Sequence, residues 1–88
     1  IRRMLLTSKA LAEGGRLLAY HAATLVDITE RTSDEAERKQ ADDLLSFLTP
    51  IVKACLTEWS VECTYHSLQC FGGHGYVAEW GMEQFVRD

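Results

Sequence analysis

The sequence Q-C-F-G-G-H-G-Y occupies residues 69–76, and V-A-E-W-G-M-E-Q-F-V-R-D follows it over residues 77–88. These 20 residues contain four of the six glycines and come directly after a long segment with apolar periodicity. Gly72 and Gly73 have no Cβ, so they can take backbone angles that other residues avoid and allow another molecule close to the main chain. We therefore expect a long helix to end here in a bent, exposed backbone that the upstream residues position.

The first upstream segment, residues 2–29, is predicted to form one long helix. Its apolar repeat, one residue in every seven, consists of Met4, Leu11, Leu18 and Leu25. Most charged residues of the segment lie off this stripe, as in an amphipathic helix. The pair Gly14-Gly15 costs about 1 kcal/mol per glycine relative to alanine. A helix keeps such a pair most readily where a neighbouring helix packs closely, which we favour over a ligand or subunit contact.

Residues 30–40 form a polar bridge with seven charged side chains and no apolar residue larger than alanine. We expect a turn early in this segment, after which Ser33 or Asp34 caps a new helix. Glu35 and Lys39 are spaced to form an i,i+4 ion pair worth a few tenths of a kcal/mol. The charge run is interpreted as a solvated face and not as a binding patch.

Thr49-Pro50 interrupts the second apolar segment. Proline fits the first position of a helix and Thr49 fits the N-cap before it, which predicts a separate helix over residues 50–70. Alternatively, one helix runs over residues 34–70 with a kink at Pro50. The sequence does not separate these two arrangements.

The composition indicates part of a small globular domain. The 88 residues are 47% apolar and 25% charged, so the chain is not disordered by composition. The net charge of −4 and the scattered basic residues argue against nucleic-acid binding. No uninterrupted apolar run reaches the roughly 18 residues that span a bilayer, so no membrane span is expected. Because the chain begins I-R-R-M and ends within a helical pattern, we expect residues 1–88 to be one domain truncated at both ends.

The three cysteines, Cys55, Cys63 and Cys70, are predicted to be free thiols in a reducing, cytoplasmic protein. Their helical spacing makes disulfides between them unfavourable. Cys63, His66 and Cys70 share one helix face, but a zinc site usually takes four ligands and no complementary set exists elsewhere, so no metal site is predicted. A thiol nucleophile pairing Cys55 with His21 or His66 is also disfavoured, because no oxyanion donor or orienting acid is identifiable.

Taken alone, the glycines of residues 72–75 predict a helix C-cap and a tight loop. A lone G-G-x-G is a weak signal for phosphate binding, and it is not the G-x-G-x-x-G dinucleotide fingerprint. Phosphate binding therefore remains a second possibility from the residues alone.

The same stretch also resembles a known signature. Q-C-F-G-G-H-G-Y, an acidic residue and G-M-E-Q-F-V-R-D are similar to the Q-x-x-G-G-x-G-[YF]…E-x-x-x-R-D signature of the flavin-dependent acyl-CoA dehydrogenases. The opening segment R-R-M-L-L-T-S-K-A-L-A-E-G-G-R and the central T-P-I-V-K-A resemble the preceding helices of that family's C-terminal helical domain. The form of residues 74–84 is most similar to the longer bacterial members, which include relatives linked to the alkylation response.

The resemblance implies an FAD site built from the main chain of the Q-x-x-G-G stretch and from the glutamine side chain. The residues implied as contacts of the adenine-pyrophosphate half are Gln69, Cys70, Phe71, Gly72 and Gly73. In that family the FAD is held mainly by the neighbouring subunit, and Phe71 and Tyr76 are expected to pack the turn. The family's catalytic base is a glutamate some ten residues beyond the R-D pair, so no catalytic residue is expected here, and Glu79 and Glu83 are not assigned that role.

The sequence therefore predicts an all-α fold in which antiparallel long helices form part of an up-and-down four-helix bundle. Two long helices cannot bury both apolar stripes alone, so a homo-oligomer, dimer or tetramer, is expected. The resemblance implies a full-length FAD-dependent enzyme that oxidises an acyl-CoA thioester to the 2-enoyl-CoA and passes electrons to an acceptor. This segment would supply scaffold, subunit contacts and part of the FAD site, and would be inactive alone. Two alternatives stay open, a non-enzymatic helical interaction module and an alkylation-response relative of the same fold.

Overall fold

A computed structural model describes all residues from 1 to 88. Three α-helices make up most of the chain: α1 over Arg2–Arg31, α2 over Glu35–Cys70 and α3 over Met82–Arg87. Two 3-10 turns, Gly72–His74 and Ala78–Trp80, lie between α2 and α3, and there is no strand. The all-α prediction is confirmed. A four-helix bundle is not seen within this chain, because only two of its three helices are long.

The chain forms two compact units. The hairpin unit consists of Gly15–Leu56, and the terminal unit consists of Ile1–Gly14 together with Thr57–Asp88. Each long helix therefore contributes to both units.

The hairpin unit is organised around the three-residue link 32–34, a length typical of an antiparallel helical hairpin. Its buried apolar side chains are Leu25 and Ala41, and Gly15 is buried as well. Burial of Gly15 agrees with the close packing expected for the Gly14-Gly15 pair, whereas a Cβ on Gly14 would meet no atom within 4 Å.

Hydrogen bonds across the link fix the start of α2. The backbone N–H of Ala36 donates to Asp34 Oδ1 at 3.0 Å, so Asp34 is the N-cap, one of the two residues predicted for that role. Arg38 Nη2 donates to the carbonyl of Thr32 at 2.6 Å, which ties α2 to the last residues before it.

The predicted ion pair between Glu35 and Lys39 is wrong. Glu35 instead pairs with Arg38 Nη1 at 2.8 Å, one residue earlier on the helix, while Lys39 approaches Asp43 at 3.7 Å. The Arg38 guanidinium is already held near Glu35 by its bond to Thr32, and its fork of donors can serve both acceptors.

Helix α2 is continuous through Pro50, which resolves the two arrangements in favour of one long helix. Thr49 is not an N-cap, because its hydroxyl donates to the carbonyl of Leu45 at 2.7 Å, inside the helix. An interior proline costs roughly 3 kcal/mol. The helix tolerates it because helical residues on both sides continue the pattern of intrahelical bonds.

The terminal unit has one fully buried side chain, that of Leu68, which is 2% exposed. The Cys63 thiol donates to the Ser8 carbonyl at 3.7 Å and so joins the first half of α1 to the last half of α2. Helix α3 packs against the second 3-10 turn.

Large apolar side chains remain exposed along both long helices. Only Leu25, Ala41 and Leu68 are buried apolar residues, whereas the exposed set on the two long helices includes Leu5, Leu6, Leu17, Phe47 and Val61. The residues of the heptad repeat itself, Met4, Leu11, Leu18 and Leu25, are half-buried or buried, so the exposed apolar side chains of α1 lie beside that stripe.

By length and composition alone, α2 could cross a membrane, since one 18-residue window has a mean hydropathy of 1.2. A core helix of a water-soluble protein meets the same criterion, so this property is weak support for a span.

Candidate functional site

The candidate site is the glycine turn, residues 69–76, at the C-terminal end of α2. The backbone N–H of Phe71 donates to the Leu68 carbonyl at 3.2 Å and closes the helix. Phe71 keeps right-handed angles, and Gly72 then takes a φ of +60°, the left-handed region that favours glycine. Gly73 does not share that conformation, so the expectation of unusual backbone angles holds at Gly72 and fails at Gly73.

Gly75 is the glycine that packing requires. It is buried, and a Cβ added to it would lie 2.5 Å from the Leu68 carbonyl oxygen and 3.0 Å from Leu68 Cγ. The turn therefore folds back onto the last turn of α2 at this point. Sequence reasoning gave Gly75 no role of its own, because the close approach depends on how the turn folds.

Two consecutive backbone donors in the turn have no intramolecular acceptor. The N–H groups of Phe71, His74 and Gly75 are each bonded to a carbonyl, whereas those of Gly72 and Gly73 are not. A Cβ at either glycine would meet no atom within 4 Å, so both face open space. A right-handed residue followed by a left-handed one aims successive N–H groups into a concavity that binds anions.

The segment that contains these donors carries no acidic side chain that would repel an anion. Residues 63–78 contain no Asp, Glu, Lys or Arg. Recognition of a phosphate here would rest on backbone dipoles and polar side chains, with no ion pair from this segment.

The side chains of the predicted contact residues are accessible to different degrees. The Gln69 side chain is exposed and makes no hydrogen bond in the structure, so its amide group is free to bind a ligand. Cys70 is half-buried and is a free thiol. Phe71 is 46% exposed, and its ring lines a cavity beside the turn.

That cavity has a volume of about 390 Å³ and is lined by Phe71, His74 and Trp80. The rings of His74 and Trp80 meet edge to face, with centroids 5.4 Å apart and planes at 87°. Sequence reasoning did not single out His74 or Trp80. The available signal was the placement of aromatic residues on both sides of the glycines. Tyr76, expected to pack the turn, is instead 70% exposed.

The acidic and basic side chains near the end of the signature form local contacts. Gly81, with a φ of 77°, precedes α3 and turns the chain into it. The buried Glu83 carboxylate forms an i,i+4 ion pair with Arg87, which is mostly exposed. Gln84 Nε2 donates to Asp88 Oδ2 at 3.2 Å. None of these groups lines the cavity.

Cys63, His66 and Cys70 share one face of α2, and no group of three or more His, Cys, Asp or Glu side chains is arranged to share an ion in this structure. The Cys63 thiol donates a hydrogen bond to the Ser8 carbonyl, and His66 Nε2 lies 3.6 Å from Glu62 Oε1.

Comparison with known proteins decides the family. A family model described as acyl-CoA dehydrogenase, C-terminal domain, matches residues 1–88. The chain belongs to the acyl-CoA dehydrogenase family.

Curated relatives agree with this family over the whole C-terminal domain segment. The chain is 43% identical to 3-methylmercaptopropionyl-CoA dehydrogenase of Ruegeria pomeroyi, matching 100% of this chain and 15% of the relative. It is 33% identical to a butyryl-CoA dehydrogenase of Syntrophomonas wolfei, and the match covers 100% of this chain and 14% of the relative. It is 34% identical to the broad-specificity linear acyl-CoA dehydrogenase FadE5 of Mycobacterium tuberculosis, and the match covers 100% of this chain and 15% of the relative. No solved structure matches the chain significantly.

This acyl-CoA dehydrogenase segment thus spans about one seventh of the length of the curated relatives it matches. The complete signature, from Gln69 to Asp88, lies within the matched region.

Proposed function

We propose that the full-length protein is an FAD-dependent acyl-CoA dehydrogenase that oxidises an acyl-CoA thioester to the 2-enoyl-CoA. A carboxylate base outside this segment would remove the α-proton of the thioester, and FAD, when bound, would supply the acceptor for the β-hydride. Residues 1–88 take no part in proton transfer in this proposal. They supply scaffold and part of the cofactor site, so the segment alone is expected to be inactive.

The observation that carries the FAD assignment is the pair of unpaired N–H groups at Gly72 and Gly73, two residues beside which a ligand has open space. Pyrophosphate oxygens are acceptors only, and backbone donors satisfy them without adding charge. The exposed amide of Gln69 can both donate to and accept from a ribose hydroxyl. Cys70 and Phe71 complete the contact set, since they lie between this amide and the two glycines.

The donor set suits the adenine-pyrophosphate half of FAD, held at the turn while a neighbouring subunit contributes the remaining contacts. The exposed apolar side chains on α1 and α2 support assembly into a homo-oligomer, dimer or tetramer, because uncovered apolar surface is typical of an interface. A cytoplasmic location and a separate electron acceptor belong to the same proposal.

The test uses the full-length protein with Gly73→Ala. The added methyl group meets no protein atom within 4 Å and Gly73 has no left-handed φ, so the fold should persist while cofactor approach is blocked. Loss of a hydrogen bond to a charged group, about 1.5–3 kcal/mol, predicts roughly 10- to 150-fold weaker FAD binding. Flavin absorbance per protomer and FAD titration of the apoprotein give the measurement.

Gly14→Ala is the matched control, because a Cβ at Gly14 also meets nothing within 4 Å but lies on α1. It should leave FAD affinity unchanged. If Gly73→Ala and Gly14→Ala bind FAD equally well, the turn is not part of the cofactor site.

A second candidate is a helical interaction module without enzymatic activity, which the exposed apolar side chains also favour. A third is an alkylation-response relative that shares the flavin fold. Flavin titration of the full-length protein separates the module, which should bind none. Turnover of acyl-CoA thioesters separates the dehydrogenase from the alkylation-response relative.

A further inference from the structure

The backbone that follows α2 is held together by short turns. Between residues 71 and 81, every backbone–backbone hydrogen bond joins residues three apart, from the bond of Phe71 to the Leu68 carbonyl to the bond of Gly81 to the Ala78 carbonyl. Such bonds have poorer geometry than those of an α-helix, and each fixes only its own turn. They therefore do not fix the first 3-10 turn, which carries the two unpaired donors, relative to the second.

One side-chain contact joins the two 3-10 turns. His74 ends the first turn and Trp80 ends the second, and their rings meet at a right-angled corner, with centroids 5.4 Å apart and planes at 87°. This edge-to-face arrangement is a favoured geometry for aromatic pairs. No side chain of residues 69–81 makes a hydrogen bond or an ion pair, so the ring contact is the directional side-chain interaction of this segment.

The contact acts directly beside the unpaired donors. His74 follows Gly73, and the N–H groups of Gly72 and Gly73 have no intramolecular acceptor. Glycine has the freest backbone of any residue, and no atom lies within 4 Å of the Cβ position of either glycine. Without a restraint at His74, these donors would take several directions, and a ligand would bind only the fraction of molecules in which both are aligned.

We propose that Trp80 is a positioning residue of the cofactor site. Its contact with His74 holds the first 3-10 turn in the conformation in which the N–H groups of Gly72 and Gly73 can meet one phosphate. Trp80 acts through His74 and does not touch the cofactor. This inference rests on the proposed function and adds to it a residue outside the predicted contact set.

The first measurement compares the full-length apoprotein with its Trp80→Leu variant by hydrogen–deuterium exchange and mass spectrometry. Because Trp80 is 57% exposed, leucine leaves no buried void, and the substitution removes the ring contact alone. The amides of Gly75 and Val77 donate hydrogen bonds within the segment, so their exchange reports its opening. An aromatic pair changes an equilibrium constant by roughly 2- to 13-fold, and these amides should exchange faster in Trp80→Leu by that factor.

The second measurement is the affinity of the same apoproteins for FAD, obtained by titration. It should fall by the same factor in Trp80→Leu, because fewer molecules present both donors aligned. Trp80→Phe keeps a ring opposite His74 and should restore both values. Phe85→Leu removes an exposed aromatic side chain of α3 that makes no ring contact, and it should change neither value.

Two results would overturn the proposal. Unchanged exchange in Trp80→Leu means that the ring contact does not hold the turn, even where FAD affinity falls. Faster exchange with unchanged FAD affinity means that Trp80 supports the local structure and does not position the donors. Under either result, weaker FAD binding by Gly73→Ala than by Gly14→Ala leaves the cofactor site in place, so the two proposals fail separately. Should Trp80→Leu not fold, His74→Leu removes the other ring and is held to the same two measurements.

Discussion

Replacing Gly75 by alanine tests whether the glycine turn folds back on α2 as the structure has it. The new Cβ would lie 2.5 Å from the Leu68 carbonyl oxygen, 3.0 Å from Leu68 Cγ and 3.3 Å from the Gly72 carbonyl oxygen. Two of these three atoms are backbone, which cannot rotate away. Leu68 is also the most buried side chain of the chain, so it has no space to yield.

The magnitude follows from two opposing effects. Gly75 has a φ of −58° and a ψ of −38°, right-handed angles that alanine adopts readily, so the backbone conformation itself favours alanine by roughly 0.4–1 kcal/mol. Overpacking costs typically 1–3 kcal/mol, and displacement of backbone atoms places this case in the upper half of that range. The net loss of unfolding free energy is therefore about 1–2.6 kcal/mol.

Thermal unfolding of the full-length protein, followed by circular dichroism, measures this loss as a lower Tm. Gly73→Ala is the control, since it is the same substitution two residues earlier and its methyl group meets no atom within 4 Å. Equal Tm values for the two variants would refute the close approach between Gly75 and Leu68.

Three further predictions concern local structure. Asp34→Ala removes the N-cap of α2 and should cost about 0.5–2 kcal/mol in unfolding free energy, measured by urea denaturation, whereas Ser33→Ala should be near neutral because no hydrogen bond of Ser33 supports the helix. Gly72→Ala forces a side chain into the left-handed region at φ +60° and should cost about 1–2 kcal/mol, visible as a lower Tm although no atom is contacted. Glu83→Gln should cost about 1 kcal/mol or less, because Arg87 is 74% exposed and water replaces its partner; the difference from wild type should shrink at high salt.

The secondary structure was largely determined by the sequence itself. The apolar repeat that begins at Met4 predicted α1 to within two residues at its C-terminal end, and the charge-rich bridge predicted the link and the Asp34 cap. These features depend on neighbours within a few residues along the chain, where side-chain periodicity and capping chemistry act locally. The signature from Gln69 to Asp88 likewise identified the family without any coordinates.

The tertiary structure decided what local chemistry leaves open. Whether α2 continues through Pro50 depends on two opposing free energies, the cost of one interior proline and the cooperative stability of a 36-residue helix. Local helix propensity does not decide between them. The ion-pair partner of Glu35 depended on where the Thr32 carbonyl holds Arg38. The role of Gly75, the exposure of Tyr76 and the corner formed by His74 with Trp80 all follow from the path of the turn after Gly72. The positive φ at Gly72 changes the direction of the chain for the residues that follow it. The resulting path depends on tertiary contacts, which could not be predicted from the local sequence pattern.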